Sequence, residues 1–301
     1  MKKIFKKSMF MFFLIMLMIP VTFAKDNVFY TNYAGVEMTE TEYNYMISNF
    51  DENLVKNMSQ SLFESGLDDA DNIELVSQEY KYIETTFNPS LMLTTEREIT
   101  KEEYENYNPI MPLANCDYGV TCWETNAKRL SIQVYNNQEN GYQAVTVENM
   151  WKTIPNVKSF DVIAVRWSSN NGYYPNIARM DGQQVYRQST GTLTEHMYDI
   201  ETQNTKVNSN RTAVGISMNI GDNAYQFLSN VIYLEFIVTR NVTLTFDATY
   251  QHATSNVTLA QSQDYTFGAG GLGNVLIYNS NTIKNKYDNM QGVSTMVAYI
   301  P

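Results

Sequence analysis

Carboxylates are the residues of this chain best supplied for chemistry. Two carboxyl groups facing each other across a cleft hydrolyse glycosidic bonds, one giving a proton and the other acting as base or nucleophile. Fourteen acidic residues follow Met111. Glu148, Asp161 and Glu235 fall in segments of strand-like pattern, so they are the candidates for such a pair, and polysaccharide hydrolysis is one reading. Solvent-face acids are the simpler reading of the same residues, and no catalytic residue is assigned. His196 lies near Glu195, Asp199 and Glu201 without a second His or a Cys ligand set, which argues against zinc. Asp68, Asp69, Asp71 and Glu74 lack the glycine and third ligand of a calcium loop. No metal ligand is assigned and no cofactor is implied. Gly268-Ala269-Gly270-Gly271-Leu272-Gly273 spells G-x-G-x-x-G, but the dinucleotide fingerprint needs a helix next. Asn274-Val275-Leu276-Ile277-Tyr278 follows, a strand-like run, so a glycine-rich turn or bulge is the better reading.

A second set of residues could do recognition rather than catalysis. The chain carries 22 Tyr, with Trp123, Trp151 and Trp167. Rings offer an apolar face with a polar edge. Ser168 to Asn176 sets amides beside two rings: Asn170, Asn171 and Asn176 with Tyr173 and Tyr174. That combination suits stacking on a sugar while bonding its hydroxyls, and loops carry function more often than sheets do. These five residues are the candidate binding site. Trp167 shares a face with Ile163 and Val165 and belongs to the core.

The elements that must position these residues are strands. Leu130, Ile132 and Val134 alternate with polar residues, as do Val145 and Val147. Thr212, Val214, Ile216, Met218 and Ile220 make one face against Ala213, Gly215, Ser217 and Asn219. Ile232, Leu234, Phe236 and Val238 make another, and Val242, Leu244, Phe246, Ala248 and Tyr250 a third. Period-two alternation on this scale means sheets with one buried face. Such faces are satisfied by packing two sheets or by closing one. The expectation is a mainly β fold, an antiparallel β-sandwich of jelly-roll or immunoglobulin-like order, with a small α-helical N-terminal module.

Helix signals are confined to the first third. Thr39 and Glu42 form a capping box, with Met38 and Tyr43 as its staple. Tyr43, Met46, Ile47 and Phe50 then fall on one helical face. A second short helix starts after Asp51 with Leu54, Val55 and Met58 inward, and a third after Ser59 stops at Gly66. Ile99 to Tyr104 repeats the capping-box form. Between them Ser77 to Phe87 reads as a strand.

Met1 to Ala24 open on Lys2, Lys3, Lys6 and Lys7, continue through an apolar stretch, and close on Thr22-Phe23-Ala24. That is the form of a secretory signal peptide cut after Ala24, which makes the protein secreted and leaves no integral membrane segment. Without the four leader lysines, 17 basic residues face 32 acidic ones. Residues 25–110 hold 5 basic and 18 acidic of these, and the rest of the chain is nearly neutral. Such a charge cannot attract a polyphosphate, so nucleic acid is excluded as a partner. The chain divides into 1–24 signal peptide, 25–72 acidic short-helix module, 73–115 strand, capping-box helix and linker, and 116–301 sandwich body. In an exported chain the two cysteines, Cys116 and Cys122, pair as a disulfide. The loop is short, so the gain is about 2 kcal/mol. Cys122-Trp123 with His252 and Asn274 downstream has the order of papain-type proteases. Gly119-Val120-Thr121 departs from their motif, and Cys116 is the simpler partner for Cys122.

Asn32 to Tyr43, followed by Asn57-Met58, is similar to the opening of a group of exported proteins of low-GC Gram-positive bacteria. Met150 to Ile163, and Tyr250-Gln251-His252-Ala253-Thr254-Ser255, resemble their body. These relatives have no assigned activity, so the resemblance implies export and a β body and carries no catalytic residue. The reading that follows is a recognition module at the bacterial exterior, taking a cell-surface glycan or protein. Hydrolysis by a carboxylate pair is the alternative, and Thr/Ser-rich strands lining a pore a third.

Overall fold

The computed structural model describes residues 28–49, 52–60, 63–64, 73–88, 93–107, 124–137, 142–152, 154–268, 275–288 and 292–299. Sixteen strands and five short helices have bounds within these residues. The strands are β1 (Tyr30–Thr31), β2 (Glu37–Met38), β3 (Ile73–Asn88), β4 (Leu93–Ile99), β5 (Glu124–Asn137), β6 (Tyr142–Trp151), β7 (Phe160–Ser169) and β8 (Asn176–Gln188). They continue as β9 (Leu193–Asp199), β10 (Thr205–Val207), β11 (Ala213–Asn219), β12 (Ala224–Ile237), β13 (Val242–Gln251), β14 (Tyr265–Phe267), β15 (Leu276–Tyr278) and β16 (Val293–Tyr299). The helices are α1 (Glu40–Asn49), α2 (Glu52–Asn57), α3 (Lys101–Glu105), α4 (Leu259–Ser262) and α5 (Asn281–Lys284).

Two antiparallel sheets make the body. One has five strands in the order β10-β11-β7-β13-β16, the other seven in the order β4-β3-β5-β6-β12-β8-β9. Every named strand pair is antiparallel. The alternating apolar residues of both sheets meet in one cluster. Leu130, Ile132, Val145, Val147, Ile232, Leu234 and Phe236 come from the seven-stranded sheet. Ile163, Val165, Trp167, Val214, Ile216, Leu244 and Phe246 come from the other. The fold is therefore an antiparallel β-sandwich. Both sheets stay open, so the Thr- and Ser-rich strands read above as pore-lining are packed layers and do not close into a barrel. β3 and β4 pair at one edge of the seven-stranded sheet.

Period-two alternation predicts one buried face per sheet, and here the molecule differs. Ala213 and Ser217, on the outer face of β11, are buried as deeply as Val214 and Ile216. Residues 253–267 and 276–287, between β13 and β16, fold over that face. Ala253, Val257, Tyr265, Ile283 and Tyr287 pack there on Val162. Ser159 Oγ donates to Val257 O at 3.0 Å, and the Tyr287 hydroxyl to Phe160 O at 2.9 Å. The β14–β15 hairpin belongs to this cover. It flanks the glycine run with strands on both sides, where the dinucleotide fingerprint would need a helix.

The N-terminal module is held by Asn32. Its Nδ2 donates to Val55 O at 3.0 Å and Met58 O at 2.8 Å, satisfying carbonyls at the end of α2. Its Oδ1 takes the Ala34 and Val36 amides, both at 2.9 Å. Gly35, at φ +82°, makes the turn that allows this. The Thr39–Glu42 box is formed, with Thr39 N on Glu42 Oε2 at 2.7 Å. Met38, Met46, Val55, Met58 and Phe63 make the module's core. Ile47 departs from the predicted face and is exposed, because α1 buries its Tyr43–Met46 edge instead. Phe50 and Leu54, the calcium-like acids Asp68, Asp69 and Asp71, the side chain of Glu74, and Gly66 lie outside what the structure describes.

Candidate functional site

A groove of about 440 Å³ opens where the covering segment meets the edge of the five-stranded sheet. Arg166 of β7, Lys206 of β10, Asn208 and Thr212 of the following turn, and Tyr265 and Phe267 of β14 line it. The turn is fixed by Asn208, whose Oδ1 accepts from Thr212 N at 2.6 Å and Ala213 N at 3.0 Å. Arg211 closes it at φ 53°, in the left-handed region that a non-glycine residue enters at a cost. Lys206 Nζ donates to Gln263 O at 3.0 Å and to Tyr265 O, and stands 4.7 Å from the centre of the Tyr265 ring. Arg166 Nη1 donates to Gly268 O at 2.7 Å, one of five donors on a guanidinium. Tyr265 lays its hydroxyl against Gly215, where a Cβ would lie 2.3 Å from the oxygen. Glycine is the residue that lets ring and sheet approach so closely. Burial pushes the Tyr265 phenol upward, so it stays neutral. The groove thus offers two cations, a ring face, a hydroxyl and an amide, a set that fits an acidic or hydroxyl-rich ligand.

The loop read as a binding site joins β7 to β8. Its amides serve the fold. Asn170 Oδ1 accepts from Thr243 N at 3.1 Å, and Asn171 Nδ2 donates to Asn241 O at 3.1 Å. Asn171 Oδ1 also receives Tyr173 N at 3.0 Å and Ser169 Oγ at 2.9 Å, with Gly172 at φ +75° turning the chain. Tyr173 packs on the core and exchanges a 3.0 Å bond with Thr239 Oγ1, while Arg240 stands over its ring. Tyr174 is 45% exposed and Asn176, opening β8, is exposed as well. The loop therefore presents Tyr174 and Asn176 to solvent at the end of the strand that carries Arg166.

The three candidate acids do not converge. Glu148 pairs in register with Ser131 and Val231 on the outer face of the seven-stranded sheet. It is 1% exposed, bonded to Arg129 Nη2 at 2.5 Å and Ser229 Oγ at 2.9 Å. Asp161 points the other way, into the space between the sheets, so a sheet separates it from Glu148. Glu235 shares the face of Glu148 but lies opposite Ala144, four residues along the strand. At the rise of a β-strand that is about 13 Å, beyond the roughly 5–9.5 Å span of a glycosidase pair.

Asp161 instead belongs to a polar cluster sealed at one end of the sandwich. It accepts from the Tyr250 hydroxyl and from Ala253 N at 2.9 Å, and both its oxygens lie 3.0 Å from His252 Nδ1. Tyr250 Oη also receives Trp151 Nε1 at 3.1 Å and Asn230 Nδ2 at 3.2 Å. Burial lowers the His252 imidazole, but the Asp161 charge and hydrogen bond outweigh it and the net shift is upward. Next to this lies Lys128, fully buried, on Asp288 and 3.0 Å from Glu96 Oε1. Trp151 and Tyr250 wall it, with ring centres 5.2 and 5.9 Å from Nζ. Burial holds the Glu96 carboxyl above its ordinary range. His252 thus faces a carboxylate partner. Cys116, Cys122 and Asn274, and with them the disulfide and the protease-like order, lie outside the described residues.

No family model and no curated protein sequence matches the chain. Among solved structures it is similar to the C-terminal domain of the Streptococcus agalactiae AgI/II polypeptide BspA, at 9% identity and a TM-score of 0.23, over 57% of this chain and 80% of that one. It is also similar to the collagen-binding domain of a Staphylococcus aureus adhesin, at 9% identity and a TM-score of 0.23, over 38% and 79%. A third is the KRT10-binding region domain of the pneumococcal serine rich repeat protein PsrP, at 10% identity and 0.24, over 58% and 87%. Overlap this low carries no argument about ligand or site. Among the described residues, no helix is long and apolar enough to cross a membrane.

Sequence reasoning missed the groove and much of the buried cluster. Arg166 and Lys206 are ordinary exposed-face residues in the period-two pattern, and only the return of residues 252–268 over the sheet makes them walls. Trp151, Asp161, Tyr250 and His252 did stand in the two body segments quoted for the resemblance. Lys128, Glu96 and Asp288 carried no signal, because they lie far apart along the chain.

Proposed function

We propose that this chain is an exported recognition module whose ligand, a glycan or a protein bearing an acidic group, sits in the groove between β10, β11 and β14. The observation that carries this is the pairing of Arg166 and Lys206 with the Tyr265 and Phe267 rings around one opening of about 440 Å³. Binding pockets combine apolar walls with a few placed polar groups in this way. A charge-assisted hydrogen bond to a carboxylate contributes about 1.5–3 kcal/mol. The β7–β8 loop, with Tyr174 and Asn176 outward, leaves β7 three residues beyond Arg166. Secretion, which the leader supports, puts such a surface where glycans and matrix proteins are met. A sugar acid and an acidic side chain offer the same carboxylate, so glycans and proteins both belong in the test. The purified chain is to be screened on arrays of acidic and neutral glycans and on immobilised matrix proteins. Binding that Arg166→Ala and Lys206→Ala weaken supports the groove. Binding that only Tyr173→Ala/Tyr174→Ala abolishes moves the site to the loop.

A further inference from the structure

Lys128 sits on β5, in the seven-stranded sheet, and its side chain is fully buried, as is that of Asp288. Asp288 lies on the other side of the interior, between α5 and β16, where backbone bonds with His252 fix it. Asp288 N donates to His252 O at 2.9 Å, and His252 N donates to Asp288 Oδ1 at 2.6 Å. Asp288 Oδ2 is left in contact with Lys128 Nζ, and Glu96 Oε1 of β4 lies 3.0 Å from the same nitrogen. Ions so enclosed are poorly solvated, and condensing one pair removes two charges from the interior at once. We propose that Lys128 and Asp288 are joined by an amide between Nζ and Cγ, formed within the folded chain with Glu96 relaying the protons, so that a covalent bond ties the seven-stranded sheet to the segment that follows α5.

The chemistry balances without an oxidant or a cofactor. The ammonium passes a proton to Asp288, giving an amine and an acid, the neutral forms that a dry site favours. The two carboxylates outweigh burial and hold the Lys128 ammonium charged against solvent, so this transfer happens inside the cluster. The amine lone pair then attacks Cγ and forms the Nζ–Cγ bond. Negative charge develops on Oδ1, where the His252 amide already donates, as in an oxyanion hole. Burial raises the Glu96 carboxyl above its ordinary range, which suits it to carry a proton. Glu96 takes the surplus proton of the nitrogen and passes it to the Oδ2 hydroxyl, which departs as water. One ammonium and one carboxylate become one amide and one water. The rings of Trp151 and Tyr250 exclude solvent from the reacting atoms.

This inference is independent of the ligand reading and is tested on the secreted wild-type chain, reduced and denatured, by intact-mass and tryptic-peptide mass spectrometry. The expected mass is one water below the sequence for the observed N-terminus. Trypsin should fail to cut after Lys128, and the Lys128 and Asp288 peptides should be recovered as one branched species. Lys128→Ala and Asp288→Ala should each show the full sequence mass. Glu96→Gln, close to isosteric and checked for native circular dichroism, should stay unlinked. Separate linear peptides from folded wild type would overturn the bond. A fully linked, folded Glu96→Gln protein would overturn the role given to Glu96.

Discussion

At the scale of single residues, the account turns on side chains whose neighbours leave them no alternative. Gly215 is one. Adding a methyl drives it into the Tyr265 hydroxyl, so Gly215→Ala should cost roughly 1–3 kcal/mol in urea denaturation, as overpacking does. The Tyr265 hydroxyl is buried without a hydrogen-bond partner among the described residues. Tyr265→Phe should therefore be neutral or stabilising, and should relieve part of the Gly215→Ala cost in the double variant. Glu148 is another. Removing it leaves Arg129 buried beside Tyr80 without this carboxylate, and Glu148→Ala should cost roughly 3–5 kcal/mol by the same measurement. His252 gives a pH dependence. Burial lowers it, and the Asp161 charge and hydrogen bond outweigh this and raise it above its ordinary value of 6.5 in the fold. A raised pKa means that the folded state holds the proton more tightly. Its contribution is complete below pH 6.5 and is lost as pH climbs through the raised value. Urea midpoints of wild type should fall across that window, while Asp161→Asn should show a flatter profile. Equal slopes would mean that His252 does not titrate against Asp161.

At the scale of elements, much was legible because alternation and capping are local. Leu130, Ile132 and Val134 and the faces of Val214 to Ile220 and Val242 to Tyr250 lie inward as their spacing demands. The Thr100–Glu103 box is present, with Thr100 N on Glu103 Oε2 at 2.7 Å and Glu103 N on Thr100 Oγ1 at 3.1 Å. Thr100→Ala should cost about 1 kcal/mol, read as faster amide exchange across α3. What alternation cannot announce is a second cover. Ala213, Gly215 and Ser217 are small and weakly polar, a pattern that fits solvent or a close-packed neighbour equally well. Tyr265 and Val257, which lie over that face, come from a segment with no long periodic run. The same ambiguity hid Glu148, whose strand position suggested an open cleft and whose place is under a buried arginine.

At the scale of the whole molecule, an acidic chain carries a local basic groove where its covering segment meets the sheet edge. Net charge, read from composition, described the acidic excess of residues 25–110 and could not show where cations gather. Charge of one sign around a groove raises the encounter rate with the opposite sign and falls off with salt. Binding through Arg166 and Lys206 should therefore weaken as ionic strength rises, whereas binding through Tyr174 should not. The most direct measurement is titration calorimetry of wild type and Arg166→Ala/Lys206→Ala against the best acidic ligand from the arrays, with thermal unfolding run in parallel. Loss of two charge-assisted bonds should weaken Kd by at least about tenfold at an unchanged melting temperature. An unchanged Kd in a folded double variant would contradict the groove as the site of recognition.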